Sequence, residues 1–438
     1  MKNYKGIILV LLLTMVSTDI LAQSGIYVCG YFRRNRPYTV TKIKNSGYTN
    51  AILFNVDVQE DGTLTTDYNW STQTPAEAGG IICKDGQYVF GQYQPNYAND
   101  VKSLLVAPTS VQRIEICIGG WGNGSYGKIK ALIEKEGSSS TSMLYKNFKA
   151  LKEAIPEIVA VNNDQEQDYD LTTALRFHRM MFDLGYKTTI APYMNSSYWQ
   201  SLVTGLNNSR NGACDLVYLQ TYGGGAYNNP AATEWNFGSI PVWVGFDCES
   251  SGDLAGMETK FKNWKNTSKA SGGFLWNYNS DARVVNDWAT AINRIFSTRT
   301  VDENVVGAKV YSEANYGGYC VPLTEGKFTM ADLAVFGLKA RDLASLQVTD
   351  GYKVYLYKGT ACIGTSLDLT ASSTYVGDSW NNTVCSIKVE NLTSGIQSVD
   401  TRQQVNEEYL YNIAGQRVDE SFNGIVIKNG KKTININR

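Results

Sequence analysis

The chain has 438 residues, with 40 Lys and Arg against 41 Asp and Glu, one His and eight Cys. A 43% hydrophobic fraction with 12% aromatics excludes a disordered polyelectrolyte, and a net charge of −1 gives no footprint for nucleic acid. The single His, His178, excludes a multi-histidine metal centre and leaves carboxylates and aromatics as the candidates for chemistry.

Residues 1–22 read as a secretory signal: Lys2 and Lys5, an apolar run over 6–16, and Leu21-Ala22 as the cleavage point. The run is too short to cross a bilayer and no later stretch is longer, so no transmembrane segment is expected. None of the eight Cys forms a CxxC pair, and export permits disulfides, so the pairing stays open. Eight short apolar runs follow, at 26–32, 51–56, 113–118, 157–166, 188–193, 215–222, 241–247 and 272–278. Helical spacings lie between them, such as Leu144, Phe148, Leu151 and Ile155, or Val285, Trp288, Ile292 and Phe296. Continuous apolar strands alternating with helices predict a parallel sheet covered on both faces. Eight such units match the roughly 250 residues of a (β/α)8 TIM barrel, which places an α/β domain over 24–298. A doubly wound sheet is the alternative.

Within the second connection, Tyr68, Trp70, Tyr88, Tyr93 and Tyr97 suit either outer binding subsites or a surface hairpin. The fourth run, 157–166, carries the clearest chemistry. Strand alternation puts Ile158, Ala160, Asn162, Asp164 and Glu166 on one face. The first two suit a packed interior. The last three come at the C-terminal end, which in a barrel is the mouth where active sites lie. A buried row of Asn, Asp and Glu is costly unless paired or used. His178, on the following helix between Leu175 and Phe182, reads as a packed structural histidine.

From 308 to 390 helical spacing gives way to an internal repeat of two four-strand units. Val310-Tyr311 returns as Val354-Tyr355-Leu356-Tyr357, and Ala344–Val348 as Cys385–Val389. Two such units predict an all-β Greek-key sandwich. Residues 406–438 end the chain with short β runs and an Asn429-Gly430 hairpin signal.

Three family resemblances sit on these residues. Asn162-x-Asp164-x-Glu166 resembles the end of the Asp-x-x-Asp-x-Asp-x-Glu signature of family 18 glycoside hydrolases, the chitinases and endo-β-N-acetylglucosaminidases. Cys29–Phe32, Leu53-Phe54-Asn55, Ile116–Trp121, Ala191–Tyr193, Leu219–Tyr222 and Gly273–Trp276 resemble other strands of that family in order. Departures are Val159 and Asn162 at the first two Asp positions and Cys117 at a Ser. Two residues apart on a strand, about 6.6 Å at Cα, Asp164 and Glu166 do not flank a bond from opposite sides; they suit the substrate-assisted exception. By resemblance, Glu166 is the general acid, the substrate's acetamide oxygen attacks the anomeric carbon, and Asp164 orients that acetamide. Tyr222 completes the catalytic set, and Asn162, Trp276, Tyr31, Gln220 and Phe54 the substrate-binding set. The implied substrate is an N-acetylglucosamine-containing glycan, with no cofactor required for catalysis. About 25 residues between the last two strands leave no room for an inserted domain and favour an endo-β-N-acetylglucosaminidase. A chitinase, or a glycan-binding barrel without turnover, is the alternative.

The second domain resembles the βγ-crystallins, whose aromatic-x4-aromatic-x-Gly pattern stands as Tyr311, Tyr316 and Gly318, and again as Tyr357, Cys362 and Gly364. The family's calcium motif falls on Asn381 and Asn382, but Cys385 stands at the hydroxyl position, which implies a weak calcium site at most. The segment 406–438 resembles C-terminal sorting domains of Bacteroidetes. It implies the secretion machinery as partner and a secreted or cell-surface protein; a plain β-appendage is the alternative.

Overall fold

A computed structural model describes residues 23–29, 37–66, 80–247, 253–277, 282–297 and 301–392, and in the C-terminal stretch 410–412, 417–419, 421–428 and 431–435. Residues 1–22, Tyr31, Tyr68, Trp70 and Cys248 lie outside the described residues.

Eight strands close into a parallel barrel. In chain order they are β1 (Ser24–Cys29), β2 (Asn50–Phe54), β3 (Arg113–Gly119), β4 (Ile158–Asp164), β5 (Lys187–Ile190), β6 (Cys214–Leu219), β7 (Val242–Asp247) and β8 (Ala270–Trp276). Each pairs in parallel with its sequence neighbours, and β1 closes on β8. The doubly wound alternative is excluded by this closure. Covering helices are α1 (Pro37–Lys44), α2 (Tyr97–Ser103), α3 (Ser125–Glu136), α4 (Met143–Ala154), α5 (Leu171–Asp183), α6 (Ser196–Ser209), α7 (Leu254–Thr267) and α8 (Ala282–Phe296). After β6 the expected helix is replaced by two short 3-10 turns, Gly223–Gly225 and Thr233–Trp235. Three consecutive glycines followed by Asn-Asn-Pro disfavour an α-helix there.

Alternation decides what fills the barrel. On β1, Tyr27 points into an inner cluster with Ile52, Phe54, Cys117, Tyr218 and Phe274, while Ile26 and Val28 face the helices. On β4, Asn163 turns outward to His178 on α5, and Asn162 and Asp164 turn inward. His178 is fully buried between Asn163, Thr188 and Tyr126, the packed histidine expected. At the N-terminal end of the strands a charged network closes the interior. The Arg113 guanidinium contacts Glu115 at 2.7 Å and grips Asp215 through two bonds of 2.9 Å, and Tyr218 and Thr189 donate to the fully buried Glu115.

Two sheets follow. One is ordered β10–β9–β12, from β9 (Val306–Tyr311), β10 (Cys320–Thr324) and β12 (Ser345–Val348). The other is β11–β15–β13–β14, from β11 (Gly326–Phe328), β13 (Tyr352–Tyr357), β14 (Ser366–Leu369) and β15 (Ser386–Asn391). Strand β11 comes from the first repeat yet pairs with β15 of the second, while Ser373 of the second repeat bridges Leu346 of the first. This exchange locks the repeats over one apolar core. Among the described cysteines, Cys83, Cys117, Cys214, Cys320, Cys362 and Cys385 are free thiols. Taken by itself, the C-terminal unit is a four-stranded sheet, β17–β16–β18–β19, from Leu410–Asn412 (β16), Arg417–Val418 (β17), Gly424–Lys428 (β18) and Lys431–Asn435 (β19).

These two sheets dock on the barrel through α8. The Asn293 amide donates to Gly47 O at 2.8 Å and to Ala334 O at 3.0 Å, one carbonyl in each domain. Arg294 stacks over Tyr319 at 4.5 Å, and Lys339 pairs with Asp287 at 3.1 Å. Replacing Asn293 by Leu leaves two interface carbonyls without this donor, and each orphaned group costs about 1–3 kcal/mol. Asn293→Leu is expected to lower the denaturant midpoint and to separate the unfolding of the two domains in calorimetry; one unshifted transition contradicts that role.

Candidate functional site

The inward face of β4 opens at its C-terminal end into a cavity of about 510 Å3. Its lining unites five residues expected from the sequence: Asp164, Glu166, Tyr222, Gln220 and Trp276, with Phe54 as the sixth. Asp164 is the last residue of β4 and 3% exposed. Glu166 lies beyond the strand end, so the expected strand over 157–166 is shorter at both ends, yet the side chain still faces the cavity.

One amide ties the two carboxylates. Gln220 Nε2 donates to Asp164 Oδ1 at 2.9 Å, reaches Glu166 Oε1 at 3.4 Å, and lies 3.1 Å from Ala191 O. None of these partners is a cation, so burial is not offset by an opposite charge. Burial, then repulsion from Glu166, pushes the Asp164 carboxyl well above the usual carboxylate range, against the Gln220 bond. Burial raises Glu166 as well. The pair therefore holds a proton to higher pH than isolated carboxyls do. Tyr222 is buried, and burial, then the charges of Asp164, Glu166 and Asp247, push its hydroxyl up.

The end of β3 explains the Gly-Gly pair. Gly119 has φ +111°, and a Cβ there would stand 2.2 Å from Asp164 O; Gly120 N donates to that same carbonyl at 2.6 Å. A side chain at 119 would push β3 off the backbone that carries Asp164. Phe54 and Trp276 meet edge to face at 4.9 Å, and Tyr27 lies against both, at 6.4 and 5.3 Å.

One assignment is corrected. Asn162 does not line the cavity. It is fully buried one layer deeper, where Tyr27 Oη donates to its Oδ1 at 2.8 Å and its amide donates to Thr189 Oγ1 at 2.9 Å. Alternation gives the face of a residue, not its depth. The residue that reaches this layer from β1 is Tyr27; Tyr31 is outside the described residues. Sequence reasoning also missed Asp247, Tyr193, Gly223 and Gly224 on the cavity wall, and Trp121, 76% exposed at its edge. An aromatic directly after Gly-Gly, and an Asp ending an apolar strand, were the available signals. Of the outer aromatics, Tyr97 is buried against Phe90, and neither Tyr88 nor Tyr93 lines the cavity.

Asn381 and Asn382 fall in the second domain. Asn382 sits in a left-handed turn at φ 54°, and Asn381 Oδ1 is buried without a partner. Cys385 is buried with its Sγ 3.7 Å from Thr383 O, a soft donor where calcium takes oxygen. Among the described residues no group of three His, Cys, Asp or Glu converges on a point. Asn381 and Asn382 alone do not supply the six or more oxygens that calcium takes.

No protein-family model matches the chain. A stretch of 80 residues, 18% of the chain, is 31% identical to the development-specific protein S of Myxococcus xanthus and covers 46% of it. The chain thus spans about half the length of the curated relative it matches. Among solved structures it is similar to a βγ-crystallin domain from Flavobacterium johnsoniae, with 31% identity over 20% of this chain and 98% of that one, at a TM-score of 0.20. A βγ-crystallin domain from Clostridium beijerinckii shows 28% identity over 19% and 98%, at 0.19. On these sequence identities the chain carries a βγ-crystallin-like domain.

The buried carboxylates make a stability prediction. A group whose folded pKa is raised contributes stability below its unfolded pKa, and that contribution is lost as pH rises through the folded value. Asp164 and Glu166 therefore weaken the fold as pH rises from about 4 towards neutrality. His178 acts oppositely: burial lowers it from 6.5 to about 3, so its contribution is full above 6.5 and lost as pH falls through that window. Asp164→Asn is expected to raise stability at pH 7 by about 0.5–2 kcal/mol and to gain nothing near pH 3.5. Thermal melts at both pH values check the sign; a loss at neutral pH contradicts it.

Proposed function

We propose that the barrel is a glycoside hydrolase that cleaves the β-1,4 bond next to N-acetylglucosamine by a substrate-assisted, retaining mechanism. The observation that carries this reading is the Asp164–Glu166 pair: two residues apart, facing one cavity and bridged by Gln220, with no Lys, Arg or His among the described lining residues. Tyr222 stands beside the pair, and Trp276 with Phe54 offers flat apolar surface to a sugar ring.

In this reading, protonated Glu166 gives its proton to the glycosidic oxygen as the bond to the anomeric carbon breaks. The acetamide oxygen of the same sugar bonds to that carbon from the opposite face. Asp164 accepts the acetamide N–H and balances the positive charge of the cyclic intermediate. Tyr222 donates to the acetamide oxygen and fixes its line of attack. Glu166, now a carboxylate, takes a proton from water as the water oxygen bonds to the anomeric carbon and the acetamide oxygen leaves it, and this second inversion restores the starting configuration. Gln220 keeps the carboxyls at their spacing through the cycle. No histidine or metal is required.

The exposed Trp121 at the rim and the single helix α7 in the described chain between β7 and β8 support an open cleft and an endo-acting enzyme on glycans. A chitinase is the nearest alternative. The saturated Asn162, where the family signature has an Asp, favours a second reading, a glycan-binding barrel without turnover. Export and surface attachment through the C-terminal unit complete the proposal.

The test is release of sugar, followed by mass spectrometry, from an N-glycosylated protein and from chito-oligosaccharides between about pH 4 and 8. Glu166→Gln is expected to lower turnover about 10²–10⁴-fold. Gln220→Leu is expected to shift the pH profile, because the bond that opposes the raised pKa of both carboxyls is lost. Binding without any product points to the second reading, and full activity in Glu166→Gln overturns the assignment.

A further inference from the structure

The cavity contains a third carboxylate that the mechanism does not use. Asp247 ends β7, three strands around the barrel from β4, and lines the same cavity as Asp164 and Glu166. Asp247 stands in register with Trp276 on the neighbouring strand β8, so a sugar seated on that ring lies beside Asp247. The hydrogen-bonding groups around that sugar are unequal. Asp164 and Asp247 supply carboxyl acceptors, the Glu166 proton and the Tyr222 hydroxyl are taken up by the glycosidic and acetamide oxygens, and the Gln220 amide is already committed to Asp164, Glu166 and Ala191 O. The Tyr193 hydroxyl is directed at Glu166 O, 3.4 Å away. Among the described lining residues none is Lys, Arg or His. Gly223 and Gly224 leave the adjoining wall without side chains, so the acceptors meet the ligand directly.

We propose that Asp247 is a specificity-determining residue that accepts hydroxyls of an uncharged sugar and disfavours sugars carrying a carboxylate in their place. The inference rests on the glycosidase reading and narrows its substrate class to hydroxyl-rich, neutral N-acetylglucosamine glycans. A carboxylate accepts at up to about four positions, so Asp247 serves a ligand alongside any partner it has in the protein. A sugar hydroxyl can donate to it. A sugar carboxylate has no proton to give and faces like charge in a partly enclosed site, where repulsion is stronger than in water.

The experiment measures binding and cleavage of two probes: an N-acetylglucosamine tetramer, and the same tetramer with its primary hydroxyls oxidised to carboxylates. The native protein is expected to bind the neutral tetramer at least about tenfold more tightly. Asp247→Asn keeps an acceptor but removes the charge, and is expected to narrow the gap to about threefold or less, chiefly by tighter binding of the oxidised probe. Equal binding of both probes by the native protein, or an unchanged gap in Asp247→Asn, overturns the inference alone. Failure of the native protein to bind the neutral tetramer overturns this inference, and the glycosidase reading falls with it only if no sugar is released from an N-glycosylated protein either.

Discussion

Everything at the mouth of the barrel depends on a buried carboxyl, Asp164, beside a half-buried one, Glu166, with an amide rather than a cation to hold them. The same barrel shows the contrasting solution at its other end. There Glu115 is as deeply buried, but Arg113 lies at 2.7 Å and Tyr218 and Thr189 donate to it. A guanidinium lets a carboxylate stay charged inside a protein and makes it part of the scaffold. At Asp164 and Glu166 the partner is Gln220, which donates hydrogen bonds without neutralising charge. The Arg113 end of the barrel keeps its charge in balance, whereas at the mouth burial without a cation raises both carboxyls.

The scaffold holds that state by packing from beneath. Tyr27 touches Phe54, Tyr218, Phe274 and Trp276, and its hydroxyl meets Asn162 directly below Asp164. The layer under the carboxylates is thus aromatic and saturated, with the Asn162 amide holding both Tyr27 and Thr189. The close approach of Gly119 to the Asp164 carbonyl fixes the backbone from the side. A cavity wall built on strands and glycine contacts keeps its shape better than one built on loops.

Much of this was legible in the sequence, and the unread part has a common cause. Period-two alternation and apolar runs marked all eight barrel strands, and the repeat of Tyr-rich strands marked the second domain. The face shared by Asp164 and Glu166 followed from the same alternation, even though Glu166 lies past the strand. Depth did not follow: Asn162 shares their face but lies in the packed layer, where its partners come from β1 and β5 and are distant in sequence. Asp247 gave only the weak signal of an Asp ending an apolar strand, since it reaches the cavity from β7, three strands around the barrel from β4. The missing helix after β6 was signalled by Gly223–Gly225 but hidden by the expectation of regular β/α alternation. In the second domain the exchange of β11 between repeats is a long-range pairing that no turn residue announces.

The docking of the βγ-crystallin-like domain on α8 has an evolutionary side. Its contacts run through Asn293, Arg294 and Asp287, and none of the described residues lining the cavity belongs to it. Substitutions that reshape the cavity and substitutions that retune the β domain therefore meet at few shared positions. Each half can drift, or be exchanged for a related module, with one short seam on a single helix left to conserve.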